Sequence, residues 1–271
     1  MQGLTYFIPT QKKAEYINLL LKVGFDTIDF GSFVSPQAIP QMKDTAEVLD
    51  KLDLSETNTE LLAIVANIRG IQDATSHPQI NYIGFPFSVS ETFQQRNTNS
   101  TISNALLVVD ELVLQCEKYD KTPVVYLSMG FGNPYGDIWN EEIVSHYAGI
   151  LVEKGVKVLS LADTIGVANH SQIGSLFKKL TNQFSQIEIG VHLHSNENSW
   201  QEKINAAYVN GCRRFDTTIK GYGGCPMALD ELTGNIATEN VIAYLTNKGE
   251  NLNLQSEAWI KANQLATEIF H

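Results

Sequence analysis

The chain is 271 residues long and carries 19 Lys and Arg against 30 Asp and Glu, a formal net charge of −11. That excess of carboxylates excludes a nucleic-acid backbone or an anionic membrane surface as the main partner, and 43% hydrophobic residues suffice for one substantial core. Three cysteines, Cys116, Cys212 and Cys225, form no C-x-x-C pair, which excludes a disulfide framework and a structural zinc site.

The amino-terminal residues show no charged leader followed by an apolar block, and no apolar run reaches the roughly 20 residues that span a bilayer. A soluble protein of a reducing compartment, the cytoplasm, is expected. Residues 11–23 place Ala14, Ile17, Leu20 and Leu21 on one helical face. Short apolar runs follow at 25–30, 61–66 and 80–86, each bounded by polar or Gly/Pro signals, as strands buried on both faces require. Helical spacing returns over 101–118 through Ile102, Leu106, Val109, Val113 and Cys116. A strand is predicted at 123–128, a helix over 141–154 through Ile143, Tyr147, Ile150 and Leu151, and strands at 156–161, 187–194 and 213–217. Lys154-Gly155 and Asn210-Gly211 read as helix stops before the next strand. Trp139, Trp200 and Trp259 fall in helical patterns. This alternation predicts an α/β fold, a (β/α)8 TIM barrel that lacks its first strand. A doubly wound sheet competes, but neither a G-x-G-x-x-G nor a P-loop supports its nucleotide-binding forms. No internal repeat or linker divides the chain, so residues 1–271 read as a single domain.

In such a barrel the chemistry sits where strands end. His192 and His194 lie two apart on the 187–194 strand, so both imidazoles face one side and can converge on a metal ion. The other reading is two unrelated polar residues at a strand end. Asn235, in Thr233-Gly234-Asn235 before a helix from about Glu239, offers an amide oxygen to that ion or serves as a turn residue. The run Gly221-Tyr222-Gly223-Gly224-Cys225-Pro226 permits close backbone approach to a ligand or makes a mobile turn, with Cys225 a proton donor or an inert thiol. Asp163 and Asp29 close predicted strands and are either substrate-facing carboxylates or turn residues. Two His, an amide and at most one carboxylate suit Mg²⁺ or Mn²⁺.

Taken together, these segments resemble 3-hydroxy-3-methylglutaryl-CoA lyases. The motifs are Ser32-Phe33-Val34-Ser35-Pro36 with Pro40-Gln41-Met42, and Ser90-Glu91 with Phe93, Asn97 and Asn99. Asn133-Pro134-Tyr135, Asp163-Thr164-Ile165-Gly166, His192-x-His194, Gly221-x-Gly223-Gly224-Cys225-Pro226 and Gly234-Asn235-x-Ala237-Thr238-Glu239 follow in the family's order. The resemblance implies a metal-dependent barrel that cleaves 3-hydroxy-3-methylglutaryl-CoA to acetyl-CoA and acetoacetate. His192, His194 and Asn235 match its metal ligands, His192 also counting among its catalytic residues. Cys225 matches the loop acid that protonates the enolate; Asp163, counted with the catalytic residues, and Asp29, a substrate-binding position, match acidic positions around the substrate. Gln2, Gly223 and Gly224 match substrate-binding positions. A homodimer, an acyl-CoA substrate and a place in leucine degradation are implied in the same way.

The sequence departs from the family at its start. Gln2 stands at the end of the family's Arg-Asp-x-x-Gln motif, which places the Arg, the metal-binding Asp and their strand upstream of Met1. The expectation is a chain begun at an internal Met and impaired in turnover. Asn133 and Ser195 replace a Cys and an acidic residue common in the family, and the fifth strand lacks its usual Arg. Arg96 and Lys220 are the candidate cations for the polyanionic coenzyme. Two alternatives stay open: a condensing enzyme of the 2-isopropylmalate or homocitrate synthase type, and a barrel that binds acyl-CoA without turnover.

Overall fold

A computed structural model of the protein describes residues 1, 4, 6–224 and 233–270. In chain order these form α1 (Thr10–Val23), β1 (Thr27–Ser32), α2 (Thr45–Leu49), β2 (Glu60–Ile64), α3 (Ile68–Thr75) and β3 (Tyr82–Ser88). Next come α4 (Glu91–Thr98), α5 (Ile102–Lys118), β4 (Thr122–Ser128), α6 (Glu141–Glu153), β5 (Val158–Asp163) and α7 (His170–Gln183). The chain continues through β6 (Glu188–Ser195), α8 (Trp200–Val209), β7 (Gly234–Asn235), α9 (Thr238–Asn247) and α10 (Ser256–Phe270).

The first six strands run parallel and pair in chain order, and the sheet curls into a TIM barrel with the helices outside. Parallel strands covered on both faces need continuous apolar sequence. β5 answers this with all six residues buried, and Val124, Val125 and Leu127 of β4 are fully enclosed. Leu62, Val124 and Val158 form a layer inside the barrel, flanked by Ile64, Tyr82 and Tyr126. The larger cluster lies between sheet and helices. Ala14, Ile17 and Leu21 of α1 enter it, as do Ile102, Val109 and Cys116 of α5. On α6 the deepest residues are Val144, Ala148 and Leu151, with Ile143 and Tyr147 at the margin of that stripe. Lys154 caps α6 and Gly155 follows at φ +102°, and Asn210 caps α8 with Gly211 at φ +99°, the expected left-handed stops.

Several boundaries differ from those expected: β2 ends at Ile64 rather than 66, and β3 runs from Tyr82 to Ser88 rather than over 80–86. β1 runs two residues later than 25–30, through a bulge between Asp29 and Gly31, so Asp29 sits within the strand and not at its end. β5 extends to Asp163, past the predicted 161. The predicted strand at 213–217 contracts to one bridge, Val191 to Phe215, flanked by Val191 N–H to Arg214 O and Asp216 N–H to Val191 O at 3.0 Å each. Trp139 precedes α6 and donates Nε1–H to Gly130 O at 3.1 Å.

Among the described residues, no strand pairs with the outer edge of β1. A second hydrophobic cluster made by α1, α10 and Ile219 includes Ile8, Tyr16, Val23, Ala262, Leu265, Ala266 and Ile269. No described helix is long and apolar enough to cross a membrane.

Candidate active site

β6 carries the centre. Strand alternation puts His192 and His194 on one face, and their rings lie 5.3 Å apart between centroids. β7 then pairs antiparallel with the end of β6, His194 opposite Asn235 and Ser195 opposite Gly234. The three residues expected to bind metal are thereby brought together by a pairing between distant parts of the chain. His194 is buried, its Nδ1 lying 3.0 Å from the carbonyl oxygen of Asp163. A nitrogen facing a carbonyl carries the proton, so Nε2 presents the lone pair. Burial pushes the His194 imidazole down to about 4, with His192 adding to the effect, and the ring is neutral at ordinary pH. Asn235 commits its Nδ2 to the Tyr222 carbonyl at 3.1 Å, which leaves the amide oxygen as the end for a cation. Among the described residues there is no group of three His, Cys, Asp or Glu side chains placed to hold a metal, and the trio here has two imidazoles and an amide. Its neutral nitrogen and oxygen donors fit a divalent ion of intermediate hardness.

The glycines of the following loop serve this trio. Gly221 (φ +66°) and Gly223 (φ +84°) are in the left-handed region, and Gly223 O accepts the backbone N–H of Asn235 at 3.3 Å. A Cβ on Gly221 would stand 2.8 Å from the carbonyl oxygen of Asn235, and one on Gly223 would stand 3.3 Å from its Nδ2. Gly224 likewise packs on Thr233 and Gly234. The close approach allowed by Gly223 and Gly224 is therefore an approach to the Asn235 strand. Gly221→Ala is expected to cost about 1–2 kcal/mol from the backbone alone, lowering the melting temperature by roughly 2–8 °C. It should also loosen divalent-ion binding, since the clash falls on Asn235; calorimetric titration with Mn²⁺ reads this directly.

Below the two histidines lies a polar layer, of which Asp29 alone stands out in the sequence as a candidate site residue. Asp216 places Oδ2 3.5 Å from His192 Nδ1 and accepts a hydrogen bond from Ser160 Oγ at 2.8 Å. The Tyr126 ring stands edge-on to His192 with centroids 5.7 Å apart. Asp29 faces the same space. It keeps accessible surface toward the lumen, although the surrounding wall strips most bulk water from it. Burial pushes its carboxyl up to about 7, Asp216 adds to the rise, and His192 and the amino terminus oppose it. Burial likewise raises the Tyr126 hydroxyl well above its ordinary value, with the two carboxylates contributing, so it stays a neutral donor.

The sign for Asp29 follows from linkage. Its folded value lies above its ordinary 3.8, so the stability it contributes is complete below that value and is lost as pH rises through about 7. Asp29→Asn should therefore gain stability relative to the parent between about pH 4 and pH 8. Urea midpoints measured across that range check this, and parallel curves would contradict it.

Asp163 does not face the lumen. Its side chain is fully enclosed, Oδ2 taking Lys203 Nζ at 2.7 Å and Oδ1 the Ala168 N–H at 3.1 Å. Lys203 also donates to Gly166 O at 2.9 Å and His194 O at 2.7 Å. This buried ammonium thus joins the ends of β5 and β6. It occupies the inward stripe of α8 beside Ile204 and Ala207, where a lysine amid apolar residues is the readable signal. Asp216 closes the predicted strand at 213–217, the same signal that marked Asp29. Cys225 and Gln2 lie outside the described residues.

The remaining motifs hold the rim together. Gln41 accepts the Ile8 N–H at 3.2 Å and donates to Tyr6 O, while buried Lys13 pairs with Asp44 at 2.6 Å. Asn133 Oδ1 accepts the N–H groups of Tyr135 and Asp137 at 3.0 and 3.1 Å. Asp137 in turn receives Ser90 Oγ and the Thr92 N–H at the start of α4. Arg96 lies 4.6 Å from the centroid of the Tyr135 ring on this rim. Lys220 is held by Glu239 through its backbone N–H and by Thr267 through its side chain.

A family model described as HMGL-like matches residues 1–266. The chain belongs to the HMGL-like family. It is 32% identical over 262 residues to the hydroxymethylglutaryl-CoA lyase YngG of Bacillus subtilis (strain 168), covering 97% of this chain and 87% of that protein. The crystal structure of the Bacillus subtilis HMG-CoA lyase superposes with a TM-score of 0.91 at 30% identity, covering 99% of this chain and 90% of the other. An HMG-CoA lyase from Acinetobacter baumannii, in complex with coenzyme A and 3-methylmalate, gives a TM-score of 0.90 at 28% identity, covering 100% and 88%. The HMGL-like barrel thus supplies the frame in which His192, His194 and Asn235 meet.

Proposed function

We propose that this HMGL-like protein is a divalent-metal-dependent lyase that cleaves 3-hydroxy-3-methylglutaryl-CoA to acetyl-CoA and acetoacetate. The observation that carries the reading is the meeting of His192, His194 and Asn235 at the end of β6, in a chain similar to such lyases over nearly its whole length. The similarity to lyases along the full barrel favours cleavage over the condensing and non-catalytic alternatives.

His192, His194 and Asn235 would hold a divalent ion, Mg²⁺ or Mn²⁺, which would supply Lewis-acid polarisation of the substrate's oxygens. The chain's own residues do the rest. Asp29 faces the lumen with a carboxyl that titrates at about 7, the range in which a general base both accepts and returns a proton. It takes the proton of the 3-hydroxyl, whose oxygen becomes the carbonyl of acetoacetate as the bond between carbons 2 and 3 breaks. The electron pair of that bond passes to the thioester as an enolate. Cys225, the acid implied by resemblance, returns a proton to carbon 2. Asp163 acts at one remove, through its carbonyl on His194 and its carboxylate on Lys203. Free Cys116 and Cys212 accord with a cytoplasmic setting.

The metal test is chelation. EDTA-treated protein should release neither product, and Mg²⁺ or Mn²⁺ should restore both in equal amounts. Full activity after exhaustive chelation would contradict the reading.

A further inference from the structure

The two histidines of the centre differ in how their second ring nitrogen is held. His194 has the Asp163 carbonyl at 3.0 Å. His192 Nδ1 is buried and makes no hydrogen bond among the described residues, yet it faces Asp216 Oδ2 at 3.5 Å. Asp216 is the carboxylate within 4.0 Å of the His192 ring nitrogens among the described residues, and Ser160 Oγ, 2.8 Å from the same oxygen, sets its rotamer. Tyr126 closes another side of the imidazole with its ring edge-on at 84°. A ring nitrogen buried against a carboxylate suits one tautomer. As N–H it donates to an anion; as a bare lone pair it would set two acceptors face to face with no water between them.

We propose that Asp216 is the positioning residue of His192. It holds the proton on Nδ1 and thereby turns the Nε2 lone pair toward the metal position, while Ser160 keeps the carboxylate aimed. His194 receives the same service from a backbone carbonyl, so both imidazoles are set before the ion arrives. The ligand role assigned to His192 rests on the function proposed above; the tautomer does not. An outer carboxylate of this kind orients the ring and raises its basicity, and its removal typically costs about 10–100-fold in metal affinity.

Long-range ¹H–¹⁵N spectra of the metal-free protein, in mildly alkaline solution, report which nitrogen of each imidazole is protonated. The expected result is Nδ1–H for His192. In Asp216→Asn that preference should weaken, and the calorimetric affinity for Mn²⁺ should fall about 10–100-fold. Ser160→Ala, which keeps the carboxylate, should lose less, and with the wild-type spectrum it decides the matter if Asp216→Asn does not fold. Wild-type His192 protonated on Nε2, or Asp216→Asn binding Mn²⁺ as tightly as the parent, overturns the proposal. Nδ1–H in a wild-type protein that binds no Mn²⁺ upholds Asp216's hold on the ring and removes the metal reading of the site instead.

Discussion

Replacing His194 by alanine is expected to lower turnover by roughly 10³-fold or more, because a fixed electrostatic stabiliser of developing charge is commonly worth about 10²–10³ and a metal ligand is lost with it. His194 is 4% exposed, its ring neutral and aimed by the Asp163 carbonyl. The fold should survive, since the backbone pairing of residue 194 with Asn235 does not depend on the imidazole. Steady-state turnover beside a circular dichroism spectrum and a Mn²⁺ titration separates the two effects. Activity within tenfold of the parent, in a folded variant, would contradict the role.

The second large effect is on stability. Lys203→Met should destabilise the protein by about 3–5 kcal/mol, because it leaves the Asp163 carboxylate buried without its counter-charge. At roughly 2–4 °C per kcal/mol for a chain of this size, the melting temperature should fall by about 6–20 °C. The ammonium meets three acceptors, on Asp163, Gly166 and His194, and the latter two would lose a donor as well. Burial already raises the Asp163 carboxyl against the opposing pull of Lys203; without that cation its protonation becomes the cheaper state. Adding Asp163→Leu should recover part of the loss, since removing both charges costs less than stranding one. A Lys203→Met melting curve that overlays the parent's would show that the pair holds nothing in place.

The parallel strands were legible because burial on both faces writes itself as an uninterrupted apolar run, and the glycine stop after α6 marked where β5 begins. The ends were not. In β1 the strand continues through Gly31 and Ser32 across a bulge, residues that read locally as a turn. In β5 it continues through Ala162 and Asp163, where hydrophobicity has already faded. The eighth position of the barrel failed as a strand for a related reason. Arg213, Arg214 and Asp216 bring charges into a segment that makes one bridge.

The His192–His194 pair was visible from strand periodicity alone, and Asn235 from its place before α9. Their meeting was not, because β7 has two residues and no periodicity can show in so short an element. Lys203 escaped for a different reason. Its helix position is apolar in pattern, and the partner that makes a lysine tolerable there lies on another strand. Asp216 stood at the end of a predicted strand and had the same claim as Asp29.

The most direct test is to incubate the protein with 3-hydroxy-3-methylglutaryl-CoA and Mn²⁺ and to follow acetoacetate. The account predicts its release with an equal amount of acetyl-CoA, and loss of both in the His194→Ala variant. A folded protein that binds Mn²⁺ and leaves the thioester intact, both as it stands and with an Arg-Asp-bearing strand added ahead of Met1, would contradict it.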